Sequence, residues 1–340
     1  MNTNTKNKTL LNAFAAATAF LLAACGGGGG DEGGSKQTPT APTTPPVTEA
    51  PTSVPPATNV AAPTYAAGDA RLSTFNALND YRVSMGVGAL KQDIALDLAA
   101  DNHLGYMKAN AVIAHEEAAG RPGFTGANPY DQGVAAGASK NQWISQAASG
   151  STDCISVFKN TVYHLQAITS NQETVGISVR DTYCVLNFGV VTGANGSGYG
   201  LPQWGGQQLQ GGNVAYSPVD NERVPGIFTA TGEQPSPAPD LPTAGHPVMF
   251  RVPAPQSGDV LTVSSFTLTG PGGASVPVRV LVPSNAKAGS MSAALLDTNV
   301  YAGVVFMLPT QALTAGTYTA TFSGARNGTM ISKSWSFSAF

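Results

Sequence analysis

Apolar residues return at helical spacing in three stretches of the first half of the chain. In residues 71–86, Leu72, Phe75, Leu78, Tyr81 and Met85 recur near every third or fourth position, and Gly86 and Gly88 stop the run. Residues 93–110 repeat the pattern with Leu96, Ala99, Ala100, Leu104 and Met107. Residues 152–168 do so with Ile155, Phe158, Val162 and Leu165. Two short β-forming runs follow, 174–179 and 183–191, joined by a turn at Arg180-Asp181-Thr182. Helices first and strands after predict an α+β sandwich. From about His246 onward the pattern is all β. Runs at 248–252, 260–268, 276–282, 304–308, 317–323 and 332–337 are separated by Gly, Pro and Asn turns, at the spacing of a β-sandwich. Between the halves, 192–244 is rich in Gly, Gln and Pro and reads as a linker with some ordered turns.

The chain start has a different pattern. Lys6 and Lys8 precede an apolar run from Leu10 to Ala24, the form of a secretory signal and too short to span a bilayer. The run closes on Leu22-Ala23-Ala24-Cys25, which resembles the lipobox of bacterial lipoproteins. That resemblance implies that Cys25 becomes the mature N-terminus and carries a diacylglycerol. The implied location is the cell envelope, most simply its outer membrane. Behind Cys25 comes a Gly-, Pro- and Thr-rich tract to Gly68 without apolar periodicity, expected to be a disordered spacer.

Composition narrows the partners. Charged residues make up 11% of the chain, against about 25% in ordinary globular proteins. Net charge is −3 and no Lys/Arg cluster stands out, so nucleic acid is not an expected partner. Beyond Cys25 there are two cysteines, Cys154 and Cys184. In an exported chain that pair argues for one disulfide.

Several phrases, taken in order, resemble the bacterial CAP family (cysteine-rich secretory proteins, antigen 5 and pathogenesis-related proteins). Leu78-Asn79-Asp80-Tyr81-Arg82, Gly86 and Leu90 resemble its opening helix and turn. Ala99-Ala100, His103 and Tyr106-Met107 resemble its second helix. Ala114-His115 falls at its first site histidine and Asn160-Thr161-Val162-Tyr163-His164 at its second. Between them run Gly120-Arg121-Pro122-Gly123-Phe124-Thr125-Gly126, Pro129-Tyr130-Asp131 and Ala135-Ala136-Gly137; Val175-Gly176-Ile177 and Phe188-Gly189 resemble the last strands. The resemblance implies an α-β-α sandwich, placed at residues 69–195; composition and β-patterning place a linker at 196–244 and a second, all-β domain at 245–340. In that tail, Leu313-Thr314-Ala315-Gly316-Thr317-Tyr318 resembles a strand entry of bacterial immunoglobulin-like domains.

The resemblance also implies a cleft with two histidines and two acids, a grouping able to hold a divalent metal such as zinc. His115 and His164 match the histidines. After Ala135-Ala136-Gly137 no acid follows, and Gln142 is the nearest replacement for the first one. Asp153 is the stand-in for the second. His103 reads as packed at a core edge, His246 as a surface residue, and Glu116-Glu117 as a solvated pair. Trp143 and Tyr130 could flank a groove or fill a core. No Gly-x-Ser-x-Gly elbow in a strand-to-helix context and no His-Glu-x-x-His occurs, and Ser145 and Ser149 form no triad by sequence.

The leading expectation is therefore a lipid-anchored envelope protein that binds a lipid, glycan or peptide ligand at His115, His164 and Gln142. A metal-assisted hydrolase using His115 and His164, with Asp153 orienting one of them, is the alternative. A purely structural or adhesive protein is the third. An incomplete acid set disfavours catalysis more than ligand capture.

Overall fold

The computed structural model describes residues 53–193, 198–200 and 205–340, all within one compact unit, Glu49–Phe340. The expected signal, Cys25 and the tract as far as residue 52 lie outside the described residues.

Helix α1 (Ala70–Met85) starts where the Asp69 side chain accepts the Arg71 amide and ends at Gly86, whose left-handed φ of 77° lets its N–H reach the last carbonyls. Strand β1 (Lys91–Gln92) precedes α2 (Ile94–Asn110), which Asp93 caps in the same way. Then come α3 (Pro129–Ala135), β2 (Trp143–Ser149), α4 (Cys154–Lys159), α5 (Tyr163–Ile168), β3 (Thr174–Arg180), β4 (Tyr183–Val190) and β5 (Gly198–Tyr199). The five strands form one sheet in the order β1-β3-β4-β2-β5. Phe75 and Leu78 of α1 and Ile155 and Phe158 of α4 pack with Val175, Ile177, Leu186 and Phe188 on one face. Ala100, Leu104 and Met107 of α2 pack with Val185 on the other. Gly176 permits that second contact, because a Cβ there would sit 2.0 Å from the Leu96 carbonyl carbon. Cys154 and Cys184 form a disulfide that ties α4 to β4.

The third expected helix, 152–168, is two. Its apolar spacing runs unbroken, yet the helix stops at Lys159 and restarts at Tyr163. Neither short helix has a side-chain cap from its own N-cap residue. α5 is capped instead by a residue remote in sequence, described below.

The remaining strands are β6 (Ala215–Ser217), β7 (Arg223–Val224), β8 (Val248–Arg251), β9 (Leu261–Thr269), β10 (Ser275–Val276), β11 (Val278–Val282), β12 (Leu295–Leu296), β13 (Val304–Pro309), β14 (Gly316–Arg326) and β15 (Thr329–Ala339). They make two sheets, β10-β9-β14-β15-β7 and β12-β11-β13-β8-β6. The sheets share a core in which the Phe250 and Phe322 rings stack at 3.9 Å. The second sheet is buried on both faces. Its outer face, with Met249, Phe306 and Leu308, packs with Tyr81, Met85, Val162 and Leu165 of the helical part. That double burial explains why β13 reads as a continuous apolar run with every residue buried.

Two expected linkers are therefore structured. The segment 196–244 supplies β6 and β7 to the C-terminal sheets and Phe228 and Ala230 to the shared core. Residues 53–68 are also packed rather than disordered: Val54 pairs with Gln207, Ala57 accepts the Ala89 amide, and buried Tyr65 donates to Asp97. Gly, Pro and Gln here make turns and hydrogen bonds, so the absence of apolar periodicity did not mean absence of structure. His246, expected at the surface, is 1% exposed: it sits two residues before β8, a strand buried along its whole length.

Two buried guanidiniums close the junction. Arg82, fully buried, donates to the carbonyls of Ile168, Ser170 and Gly88 and to Gln172 Oε1. Arg251, from β8, donates to the Thr169 carbonyl and to Asn171 Oδ1. Burial holds both below the usual arginine range, and Arg251 further lowers Arg82. Among the described residues no helix is long and apolar enough to cross a membrane.

Candidate functional site

His115 lies in the loop between α2 and α3, and that loop is held by a buried cluster. His103 Nδ1 lies 2.9 Å from Glu117 Oε1, and its Nε2 lies 2.7 Å from the carbonyl of Ala114, one residue before His115. Glu117 also accepts the Thr125 and Gly126 amides. His103 is thus fully buried rather than at a core edge, and Glu117 is 5% exposed rather than solvated. Only Glu116 of that pair stays exposed. In a chain so poor in charge, a His and a Glu flanking a loop were the signal available.

The tautomer of His115 is set by a relay of amides. Gln132 Nε2 donates to the His115 and Gly126 carbonyls, which leaves its Oε1 to accept from Gln146 Nε2. Gln146 Nε2 also donates to Asn187 Oδ1. Gln146 therefore presents Oε1 to His115 Nδ1 at 3.0 Å, so Nδ1 carries the proton and Nε2 keeps its lone pair. Burial lowers the His115 pKa, and Gln146 opposes that by accepting the bond. The amide at the site is Gln146, not Gln142. Gln142 is buried elsewhere, with Nε2 unpaired, and does not line the cavity.

His164 sits in the first turn of α5. Its ring stacks on Phe158 at 5.1 Å, and its Nδ1 lies 2.9 Å from Glu233 Oε1. The same carboxylate accepts the Val162, Tyr163 and His164 amides at 2.7–2.9 Å and so caps α5. Glu233 comes from the segment expected to be a linker, and sequence reasoning missed it. Asp153, expected to orient a histidine, is exposed at the start of α4 and lines a different surface hollow. The sequence carried no signal for it, because the apolar spacing of 152–168 hides the helix start that needs a distant acid.

His115 and His164 line one cavity of about 280 Å³. Ser145 and Gln146 of β2, Tyr163 and Gln166 of α5, and Tyr199 of β5 form one side. Gln234, Pro235 and residues 298, 299 and 301 close the other. The Tyr163 hydroxyl donates to Asp297 Oδ2 at 2.7 Å, and Gln166 bridges the Asn299 carbonyl and the Tyr301 amide. Burial and the nearby Glu116 carboxylate push the Tyr199 hydroxyl up to about 12. Trp143 and Tyr130 do not line this cavity; the Trp143 ring lies against Gly198, and Tyr130 donates to the Lys140 carbonyl.

Residues 75–192 match the cysteine-rich secretory protein family, CAP. The match covers the segment that carries both histidines and supports a CAP domain there. Gln234, Pro235, Thr298, Asn299 and Tyr301 lie outside it, so part of the cavity wall does not belong to the CAP segment. No curated protein matches the chain. Among solved structures there is a similarity to selenomethionine PcoC, a copper resistance protein from Escherichia coli, at 13% identity. It covers 37% of this chain and 95% of that one, with a TM-score of 0.22, too low to support any argument.

The zinc site that the family implies does not fit these residues. The cavity offers two imidazole Nε2 atoms, while the residue beside His115 is a neutral amide and the Glu233 carboxylate already accepts four N–H bonds. Zinc sites use three or four protein donors. Among the described residues no group of three or more His, Cys, Asp or Glu is placed to hold a metal.

Proposed function

We propose that this protein captures a ligand in the cavity between its CAP segment and its C-terminal sheets, and that lipid on Cys25 holds it at a bacterial cell envelope. One observation carries the binding reading: His115 and His164, far apart in sequence, border one hollow whose wall is completed in part by residues from beyond the CAP segment. The C-terminal sheets, read as immunoglobulin-like, then act as part of the binding site and not as a spacer alone. Envelope material separated into lipid, glycan and peptide fractions should give saturable capture of one fraction by the full chain. Capture should fall in the His115→Ala plus His164→Ala double variant. Capture unchanged by both substitutions refutes the cavity as the site. Mass spectrometry of the exported protein tests acylation at Cys25 separately.

A hydrolase reading is favoured by one contact. Glu233 holds Nδ1 of His164, as an orienting acid does for a general base. In that reading Nε2 of His164 takes a proton from a nucleophile in the cavity. Turnover of ester or peptide substrates that disappears in His164→Ala would support it.

A further inference from the structure

Ser145 is 3% exposed and lines the cavity, yet its Oγ has no hydrogen-bond partner in the protein. A buried hydroxyl left unpaired forfeits the hydration it had in water without replacement, so native structures keep few of them. Its neighbours Gln146 and Gln166 spend both ends of their amides inside the protein. Ser145 Oγ and the Nε2 atoms of His115 and His164 are wall atoms that make no hydrogen bond within the described protein.

The rest of the wall limits what they can meet. Among the described lining residues there is no Asp, Glu, Lys or Arg, and the carboxylates just behind the wall, Asp297, Glu233 and Glu116, are already engaged by Tyr163, His164 and Tyr199, so a charged ligand meets no free counter-charge on the wall itself. There is no Leu, Ile, Val, Met or Phe either, so an acyl tail would strand these polar atoms while meeting little aliphatic surface. What the wall does offer is the rings of Tyr163, Tyr199 and Tyr301, flat apolar surfaces with polar edges. Burial lowers the His115 pKa and keeps its Nε2 an acceptor, while Ser145 both donates and accepts.

We propose that the cavity takes an uncharged, hydroxyl-rich ligand, a short neutral saccharide, and that Ser145 is the contact that selects for its hydroxyls. The proposal rests on the ligand-binding reading above and adds the ligand class to it. Sugar hydroxyls pair with Ser145 Oγ and the two Nε2 atoms, and the C–H face of a pyranose lies on a tyrosine ring.

The test uses the full chain and ligand-observed NMR with the trisaccharides of N-acetylglucosamine, glucose and mannose. The comparison probes are an oligogalacturonate, a capped alanine tripeptide and lauric acid. At least one neutral trisaccharide should bind saturably, and Ser145→Ala should weaken it about 10-fold, the loss of roughly one hydrogen bond. The same substitution should leave the melting midpoint unchanged or raised, because it removes an unpaired hydroxyl. Binding confined to the acidic sugar, the peptide or the fatty acid overturns the saccharide class and leaves the cavity reading standing. Silence from every neutral saccharide at about 1 mM, or a Ser145→Ala affinity equal to the parent's, also overturns it. Fraction capture with the double histidine variant decides the cavity reading independently.

Discussion

Glu233 is where removal of one side chain should be felt most. It is 1% exposed, and its two oxygens accept the Val162 amide at 2.8 Å, the Tyr163 amide at 2.7 Å, the His164 amide at 2.9 Å and His164 Nδ1 at 2.9 Å. Glu233→Ala would strip four donors of their acceptor at the start of a helix with no cap of its own. The Val162 amide is enclosed, while the Tyr163 and His164 amides can be partly repaired by water, so the four losses do not add in full. A loss on the order of 3–5 kcal/mol follows, the range for breaking a buried charged contact from one side. Glu233→Gln keeps the shape and one oxygen for Tyr163 and His164, but turns an NH₂ group toward the Val162 amide. It should cost about 1–3 kcal/mol, one unsatisfied buried donor. Urea unfolding followed by circular dichroism reads both variants as midpoint shifts at constant slope. A Glu233→Ala protein within about 0.5 kcal/mol of the parent would refute the idea that this carboxylate joins the CAP segment to the rest of the chain.

Two further predictions follow from buried groups. The Cys154–Cys184 bridge closes a separation of 30 residues, so replacing both cysteines by alanine should lower stability by roughly 3–4 kcal/mol on the chain-entropy account; a loss below about 1 kcal/mol would count against it. His246 is buried, and its pKa is lowered from 6.5 to about 3 by burial and by the Lys159 charge. With the folded pKa below the unfolded one, the unfolded chain takes the proton first, so this contribution is complete above pH 6.5 and declines as pH falls toward 3. Stability should drop by about 2–3 kcal/mol between pH 6.5 and about pH 4.5, and His246→Gln should flatten that slope. His115 acts in the same direction, so a residual slope in the variant is expected; an unchanged slope contradicts the assignment.

Periodicity located α1, α2, β3, β4 and the long C-terminal strands because each has one face in a core and its apolar residues report that face. It missed β2, Trp143-Ile144-Ser145-Gln146-Ala147-Ala148-Ser149, because that strand is buried along nearly its whole length by small and polar residues. Its burial depends on helices on both sides, which no local pattern shows. The two histidines were legible through motif order, whereas their partners were not. Gln146 was passed over for Gln142, four positions earlier in the same stretch. Glu233 lies 69 residues beyond His164, in a segment whose Gly and Pro content reads as linker. The two-residue strand β7 is too short to carry a period at all, although it closes one edge of a sheet.

Five consecutive residues, 168–172, are gripped from two sides by Arg82 and Arg251. Among the described residues neither guanidinium has an acid within salt-bridge reach, so the peptide and side-chain amide oxygens of this bend serve as their electrostatic solvent. Lengthening or shortening the bend by even one residue would leave an enclosed cation with nothing to solvate it. Surface loops in natural families change length freely, but this one should not. A library of single-residue insertions across the chain, sorted for folded protein, should show a gap at this bend as deep as any in the sheets.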